Sequence, residues 1–195
     1  MTAGLALDPK ASALLVMDYQ VGIVEGYADD QQALLGRMAH VIAAARQAKM
    51  AIIYVVVGFR TGYPEVSERN LSFSAIRQSS RFSPEDAAAR IHPALAPQAG
   101  DIVITKHRVS AFAGTDLDMI LRANNIETMV LAGIATSGVI LSTTRHAADA
   151  DYRIVILRDC CDDRDAEVHR VLMDRVFPRQ AAVIESAALL EALKV

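Results

Sequence analysis

The stretch Leu131-Ala-Gly-Ile-Ala-Thr-Ser-Gly-Val-Ile-Leu-Ser-Thr-Thr144 decides how this chain folds. It joins an apolar run over residues 128–134 to a helical pattern through a turn of small residues. A run that is apolar on both faces is typical of a parallel strand covered by helices on each side. The start of the following helix presents unpaired N–H groups and a partial positive charge, so a reactive side chain is expected where turn and helix meet. The chain has Val139 there.

On either side of this stretch, apolar runs of strand length alternate with stretches of helical spacing. The other runs cover residues 13–17, 51–57, 101–105, 153–157 and 181–184, and the helical stretches cover 31–49, 115–124, 137–149, 166–176 and 186–193. This alternation predicts a single α/β domain over residues 1–195, with three α/β/α layers and a doubly wound, mostly parallel sheet of about six strands. The longer connection 58–100 holds two short helical patterns, at 71–78 and 84–90. Long connections of this kind build binding sites or oligomer contacts.

Composition and charge argue against several classes of function. A net charge of −3 without clustered Lys and Arg argues against nucleic-acid binding. No apolar run is long enough to cross a membrane, and the N-terminus does not read as a signal peptide. The only cysteines, Cys160 and Cys161, are adjacent and cannot form an ordinary disulfide, which favours a cytoplasmic location. The histidines lack metal-ligand spacing and no dinucleotide or phosphate-loop motif is present, so we expect no metal and no cofactor.

Two charged residues end other predicted strands. Asp18 follows the first strand and Lys106 follows the third. Ligands of open parallel sheets bind at the carboxyl ends of the strands, so both residues are predicted to converge with the turn before Val139. A carboxylate and an ammonium group held close favour each other's charged forms. Such a pair suits a reaction in which the acid moves a proton while the cation stabilises developing negative charge.

Three segments at these strand ends together carry a resemblance to a known family. They are Leu14-Leu-Val-Met-Asp-Tyr-Gln20, Thr105-Lys-His-Arg-Val-Ser-Ala-Phe112 and Gly133-Ile-Ala-Thr-Ser-Gly-Val139. The set resembles the isochorismatase-like hydrolases, also called cysteine hydrolases. The resemblance implies that Asp18 and Lys106 are catalytic and that position 139, which is Val139 here, is that of a nucleophilic cysteine. It also implies a cis peptide bond between Ile134 and Ala135, with the N–H groups of Ala135 and Val139 as oxyanion donors.

The resemblance further implies a small-molecule substrate and a set of residues that contact it. The implied contacts are Gln20, Phe59, Phe112, Thr136 and Ser137. In the long connection, Arg60, Tyr63 and Arg81 are candidates for meeting an anionic or planar substrate, the alternative being surface charge or an oligomer contact. Nicotinamidases of the family carry an Asp/His metal cluster after the second strand, where this chain reads Val57-Gly-Phe-Arg-Thr-Gly-Tyr63, so again no metal is expected. Relatives form dimers or tetramers, which implies a homo-oligomer.

Val139 cannot attack a carbonyl carbon, which excludes thiol-dependent amide hydrolysis at this position. Our leading hypothesis is a hydrolase of a small molecule that uses Asp18, Lys106 and the backbone oxyanion hole without a cysteine nucleophile. The bond is a C–N bond or a vinyl-ether C–O bond, as in isochorismatases, which also lack the thiol. The alternative is an inactive family member that binds a small molecule or regulates. A third hypothesis makes Ser137, otherwise a helix N-cap, or Cys161, otherwise a buried apolar residue, the nucleophile.

Overall fold

Six parallel strands form one sheet in the computed structural model, which describes residues 7–194. Their order across the sheet is β3-β2-β1-β4-β5-β6. In chain order the strands are β1 (Ser12–Met17), β2 (Ala51–Val57), β3 (Ile102–Lys106), β4 (Thr128–Ile134), β5 (Arg153–Asp162) and β6 (Ala182–Ile184). The strand order runs outward in both directions from the central pair of β1 and β4, as in doubly wound α/β folds. The predicted fold class is confirmed.

Helices cover both faces of this sheet. They are α1 (Val21–Tyr27), α2 (Gln31–Gln47), α3 (Leu71–Gln78), α4 (Leu117–Ala123), α5 (Leu141–Asp149), α6 (Ala166–Val171) and α7 (Ser186–Ala192). Two wide turns of π type precede α5 and follow α6, at Thr136–Ile140 and Leu172–Val176. Within residues 7–194, no helix has the length and apolar character needed to span a membrane.

Each face of the sheet buries its own apolar core. Along β1, Leu14 and Val16 point into the core on the side of α2, whereas Leu15 and Met17 point into the core that includes residues of α4 and α5. Successive side chains of a strand point to opposite faces, so a central strand between two cores must be apolar at every position. This is the physical reason for the continuous apolar runs of the sequence.

Three elements differ from the sequence prediction. The helical pattern predicted at 84–90 forms only the short 3-10 turn Ala87–Ala89, because the carboxylate of Asp86 accepts the N–H groups of Phe82 and Ala88 and holds the segment in a turn. Strand β5 continues to Asp162, five residues beyond the predicted end at 157, because Arg158 and Asp159 interrupt the apolar run without ending the strand. Helix α1 was not predicted, since it is short and contains Gly22 and Gly26, and glycine disfavours helix.

Gly133 lets strand β4 approach β1 at the point where β1 ends. It is the register partner of Met17, the residue before Asp18. A Cβ atom at Gly133 would lie 2.6 Å from the carbonyl oxygen of Met17 and 2.9 Å from its Cβ. The close approach of the two strand ends therefore requires glycine at this position.

We expect Gly133→Ala to lower the free energy of unfolding by roughly 1–3 kcal/mol, because the backbone of a packed sheet must shift to admit the methyl group. Denaturant unfolding of the two proteins measures the difference. Gly36→Ala is the matched control, since its Cβ would meet nothing within 4 Å in the exposed middle of α2. That substitution should raise stability by up to about 1 kcal/mol. Equal changes in the free energy of unfolding for the two substitutions would contradict the close approach of β4 to the end of β1.

Candidate active site

The carboxyl ends of β1, β3 and β4 border one cavity of about 510 Å³. Asp18, Lys106, Ile134, Ala135 and Val139 all line it, as the strand topology predicted. Strand β2 lies between β1 and β3, so the side chains of Asp18 and Lys106 meet across the end of β2 at Val57, which also lines the cavity.

Asp18 and Lys106 form a buried ion pair. The Oδ2 atom of Asp18 lies 2.9 Å from Nζ of Lys106, and the two side chains are 7% and 3% exposed. Lys106 Nζ also donates a hydrogen bond to the carbonyl oxygen of Arg108 at 3.1 Å. The other carboxylate oxygen, Oδ1, is buried and has no hydrogen-bond partner among the described residues. Asp18 therefore keeps one oxygen uncommitted on a residue that borders the cavity.

The surroundings of Asp18 shift its proton affinity. Burial raises the pKa of the carboxyl group above its ordinary 3.8, and this effect exceeds the lowering caused by the charge and hydrogen bond of Lys106 and by the nearby N–H of Val57, whose own hydrogen bond goes to Gln20 Oε1 at 2.8 Å. The backbone of Asp18 is left-handed, with φ of 59°, a conformation that Asp tolerates better than most residues. Its N–H donates to the carbonyl oxygen of Val55 at 2.8 Å, which fixes the residue against β2.

The turn after β4 forms the second wall of the cavity. The Ile134–Ala135 peptide bond is cis, as the resemblance implied. The wide turn Thr136–Ile140 follows, and Val139 lies within it, 2% exposed. A valine side chain at this position gives the wall an apolar surface without a nucleophile.

Residues that follow β5 hold this turn in place. The carboxylate of Asp163 accepts the N–H of Ser137 at 2.7 Å. The hydroxyl of Thr136 donates to the carbonyl oxygen of Asp162 at 3.1 Å and lies 2.8 Å from Nδ1 of His169. Ser137 is exposed and makes no side-chain cap, so its expected N-cap role is wrong: an acid from another strand end binds the free N–H instead.

The residues expected to contact substrate are placed elsewhere. Phe59 packs against Phe73 with ring centroids 5.6 Å apart, and Phe112 stacks on His146 at 4.2 Å. Thr136 and Ser137 lie on the side of the turn that faces Asp162 and Asp163. Neither these four residues nor Gln20 lines the cavity.

Gln20 instead ties the end of β2 to the loop after α3. Its amide nitrogen donates to the carbonyl oxygens of Val57 at 2.8 Å and Ala89 at 2.6 Å, and its amide oxygen accepts the Val57 N–H at 2.8 Å. All of this polar capacity is used inside the protein, and the side chain is fully buried. Gln20 therefore fixes the strand end across which Asp18 and Lys106 meet.

The wall opposite the turn comes from α1 and α3, which sequence reasoning did not assign to the site. Phe73 and Ile76 of α3, Tyr27 of α1 and Arg164 line the cavity, together with Arg81, which the sequence had suggested as a residue that could meet an anionic or planar substrate. The apolar spacing of 71–78 predicted a helix there, but nothing in that pattern shows which sheet edge the helix covers. Arg164 was not considered because it follows β5 at some distance from the three motifs.

The two cysteines lie outside the cavity. Because β5 continues past them, their side chains enter opposite cores, that of Cys160 on the α2 side and that of Cys161 on the other. Burial raises the pKa of Cys160 to about 12 and that of Cys161 well above the ordinary range. Since Cys161 does not line the cavity and stays protonated, the structure argues against it as the missing nucleophile. The described residues contain no cluster of three potential metal-ligating side chains.

Comparison with known proteins places the chain in a family. The sequence profile of the isochorismatase domain matches residues 12–188, which include all three strand ends that border the cavity. The chain belongs to the isochorismatase family. The isochorismatase family protein YecD of Escherichia coli O157:H7 is 32% identical over 192 residues, covering 97% of this chain and 100% of the relative.

Relatives within this family include named amidohydrolases. The ureidoacrylate amidohydrolase RutB of Variovorax paradoxus (strain S110) is 34% identical over 176 residues, which cover 80% of this chain and 70% of that protein. The crystal structure of a cysteine hydrolase from Pseudomonas syringae pv. phaseolicola 1448A matches with a TM-score of 0.89 at 22% identity, covering 100% of this chain and 99% of that one. The resemblance to the isochorismatase family is thus confirmed, and its members are hydrolases.

We expect the pKa of Asp18 in this family member to lie above 3.8 and to rise further in Lys106→Met, because burial then acts without the opposing cation. Carbon-13 NMR titration of the carboxyl carbon measures both values. A folded-state pKa above the unfolded value means that the stability contributed by Asp18 is full below pH 3.8 and is lost as the pH rises through the folded pKa. Lys106→Met should therefore lose stability more steeply than wild type above that pH.

Asp118 is the internal control for this titration. A hydrogen bond from Arg122 lowers the pKa of its carboxyl group below 3.8, and Asp118 is not among the residues lining the cavity. Its titration should be the same in both proteins. An Asp18 pKa that falls in Lys106→Met would show that the two side chains are not the dominant pair.

Proposed function

We propose that this chain is an isochorismatase-family hydrolase of a small molecule in which Asp18 transfers the proton and water, rather than a cysteine, attacks the substrate. One observation carries the proposal: Asp18 is buried beside the cavity with Oδ2 paired to Lys106 and Oδ1 without a partner among the described residues. A carboxylate whose pKa is raised and whose second oxygen is free is suited to accept and return a proton.

The reaction proposed for a C–N bond uses this oxygen twice. Asp18 Oδ1 takes a proton from a water molecule, and the hydroxide forms a bond to the carbonyl carbon. The negative charge that develops on the carbonyl oxygen is met by the N–H groups of Ala135 and Val139. Asp18 then gives the proton to the departing nitrogen as the C–N bond breaks, leaving a carboxylic acid and an amine. Lys106 keeps its contact with Oδ2 and stabilises each anionic state of the acid.

A vinyl ether would use the same residue in the reverse order. Protonated Asp18 gives its proton to the vinyl carbon, and water then adds to the resulting oxocarbenium carbon before the C–O bond breaks. We favour the C–N bond because a relative that is 34% identical is named an amidohydrolase.

Val139 favours a second candidate function, that of a small-molecule-binding protein without turnover. Its side chain has no group able to attack, and it occupies the cavity wall where the family resemblance places a thiol. Such a protein would bind its ligand and release it unchanged. Assembly as a homo-oligomer and a cytoplasmic location stay predictions.

We expect Asp18→Asn to lose on the order of 10²-fold or more in kcat/KM, since the amide cannot accept the proton. Turnover is measured on a panel of small amides, vinyl ethers and isochorismate-like acids, and the active compound class identifies the bond. Asp118→Asn, a carboxylate change outside the cavity, is the control and should be unaffected. Unchanged turnover in Asp18→Asn would disprove the mechanism, while binding of a compound without turnover in wild type would support the second candidate.

We expect Val139→Cys to be alkylated by iodoacetamide at a pH of about 8.5, where an ordinary thiol is half ionised, because position 139 borders the cavity. Intact-mass analysis followed by peptide mapping locates the label. Wild type supplies the control, since Cys160, with its pKa raised to about 12, and the buried Cys161 should stay unmodified. A variant that is labelled only at Cys160 or Cys161 would place position 139 outside the accessible cavity.

A further inference from the structure

Arg81 lines the cavity beside Asp18 and Lys106 without an acidic partner. Its side chain is half-buried, and Nη2 donates to the carbonyl oxygen of Gly22 at 3.1 Å. Arg81 belongs to none of the ion pairs formed within residues 7–194. The guanidinium group therefore brings a positive charge and unused N–H donors to the cavity.

The backbone around Arg81 is held in an unusual conformation. Its two neighbours, Ser80 and Phe82, are both left-handed, with φ of 53° and 58°. This conformation is unfavourable for residues with a Cβ, and such outliers cluster at functional sites. The hydroxyl of the buried Tyr63 donates to the carbonyl oxygen of Arg81 at 2.9 Å, which fixes the segment in place.

Helix α1 leaves room for this guanidinium. A Cβ atom at Gly22 would lie 2.3 Å from Nη2 of Arg81 and 2.7 Å from Cβ of Ala88. Glycine inside a helix lowers the stability of the helix. The position of the Arg81 guanidinium explains why glycine is nevertheless present at position 22. The same glycine that weakened the sequence signal for α1 thus admits Arg81 to the cavity.

The charges that line the cavity do not cancel. Three cationic side chains (Arg81, Lys106 and Arg164) and one carboxylate (Asp18) line it. Lys106 is neutralised by Asp18. Each arginine lies over an aromatic ring, Arg81 over Phe82 at 5.1 Å and Arg164 over Tyr27 at 4.3 Å, but Arg164 is exposed to solvent whereas Arg81 is half-buried. Arg81 is therefore the half-buried cation of the cavity that has no carboxylate partner among the described residues and can bind an anionic ligand.

The other candidates of the long connection do not compete for this role. Arg60 is exposed and paired with Glu65 at 2.5 Å, outside the residues that line the cavity. Tyr63 uses its hydroxyl on the backbone of Arg81.

We infer that Arg81 binds a carboxylate group of the substrate, so that the substrate is a small organic acid whose remaining part lies against the apolar wall of Phe73, Ile76 and Val139. The planar guanidinium presents paired N–H donors that match the two oxygens of a carboxylate. This inference deepens the proposed function by naming its substrate class, but binding can be measured without turnover.

The test compares compounds that differ in charge and resist hydrolysis. Benzoate and crotonate are each titrated against the alcohol of the same skeleton, benzyl alcohol and crotyl alcohol, by ligand-observed NMR and calorimetry. Wild type should bind the carboxylates about tenfold or more tightly than the alcohols, as expected for a charge-assisted hydrogen bond. Arg81→Gln should lose that preference, and Arg81→Lys should recover part of it because the charge remains without the fork.

Arg60→Gln is the matched control, an arginine of the same connection outside the cavity, and should keep the preference. Melting temperatures of all variants check that each is folded. Three outcomes would each overturn the inference. Arg81→Gln could keep the wild-type preference for carboxylates, Arg164→Gln could lose it instead, or wild type could bind neither carboxylate better than its alcohol. If the preference for carboxylates depends on Arg81 but no substrate is turned over, the inference is upheld and the proposed hydrolysis is contradicted.

Discussion

Burying Asp18 and Lys106 together is the constraint on which the site depends. Each ion loses several kcal/mol of hydration on burial, and close pairing offsets part of this cost. The 2.9 Å contact spans the end of β2, so the ends of three neighbouring strands must hold a fixed spacing. Gln20 secures β2 by hydrogen bonds to both polar groups of Val57, and Gly133 lets β4 lie close to the residue before Asp18. The hydrogen bonds of Gln20 and the glycine at position 133 thus help to maintain the contact between Asp18 and Lys106.

The Asp18–Lys106 ion pair and the turn with Val139 are built independently. Asp18 and Lys106 come from β1 and β3, whereas the turn is held by Asp163 and by the hydroxyl of Thr136. None of the hydrogen bonds that hold the turn involves the side chain at position 139, which packs as a buried apolar residue in the core on the side of α5. A valine there alters the chemistry available to the cavity and leaves its backbone and its acid intact.

The sheet was predictable because its central strands are buried on both faces and read as unbroken apolar runs. Asp18 and Lys106 were predictable because polar residues that end such runs must meet at one sheet edge. Helix α1 was not predictable, since Gly22 disfavours a helix and its absence of a side chain makes room for Arg81. The residues expected to contact substrate do not line the cavity, because sequence order does not show which way a side chain points: Gln20 bonds inward to Val57, and Phe59 packs on Phe73. The packing of α3 over the strand ends depends on tertiary contacts, and no local sequence pattern predicts it.

The continuation of β5 through Cys160 and Cys161 has a consequence for oxidative stress. Peroxide attacks the thiolate form of accessible cysteines, and both sulfur atoms are buried, with the pKa of Cys160 raised to about 12. A hydrolase that relies on a thiolate is inactivated when that sulfur becomes a sulfinic acid. With Val139 in the cavity wall and both cysteines in the cores, this protein presents the oxidant with no such target among its described residues, so the proposed reaction would persist at a peroxide level that stops a thiol enzyme.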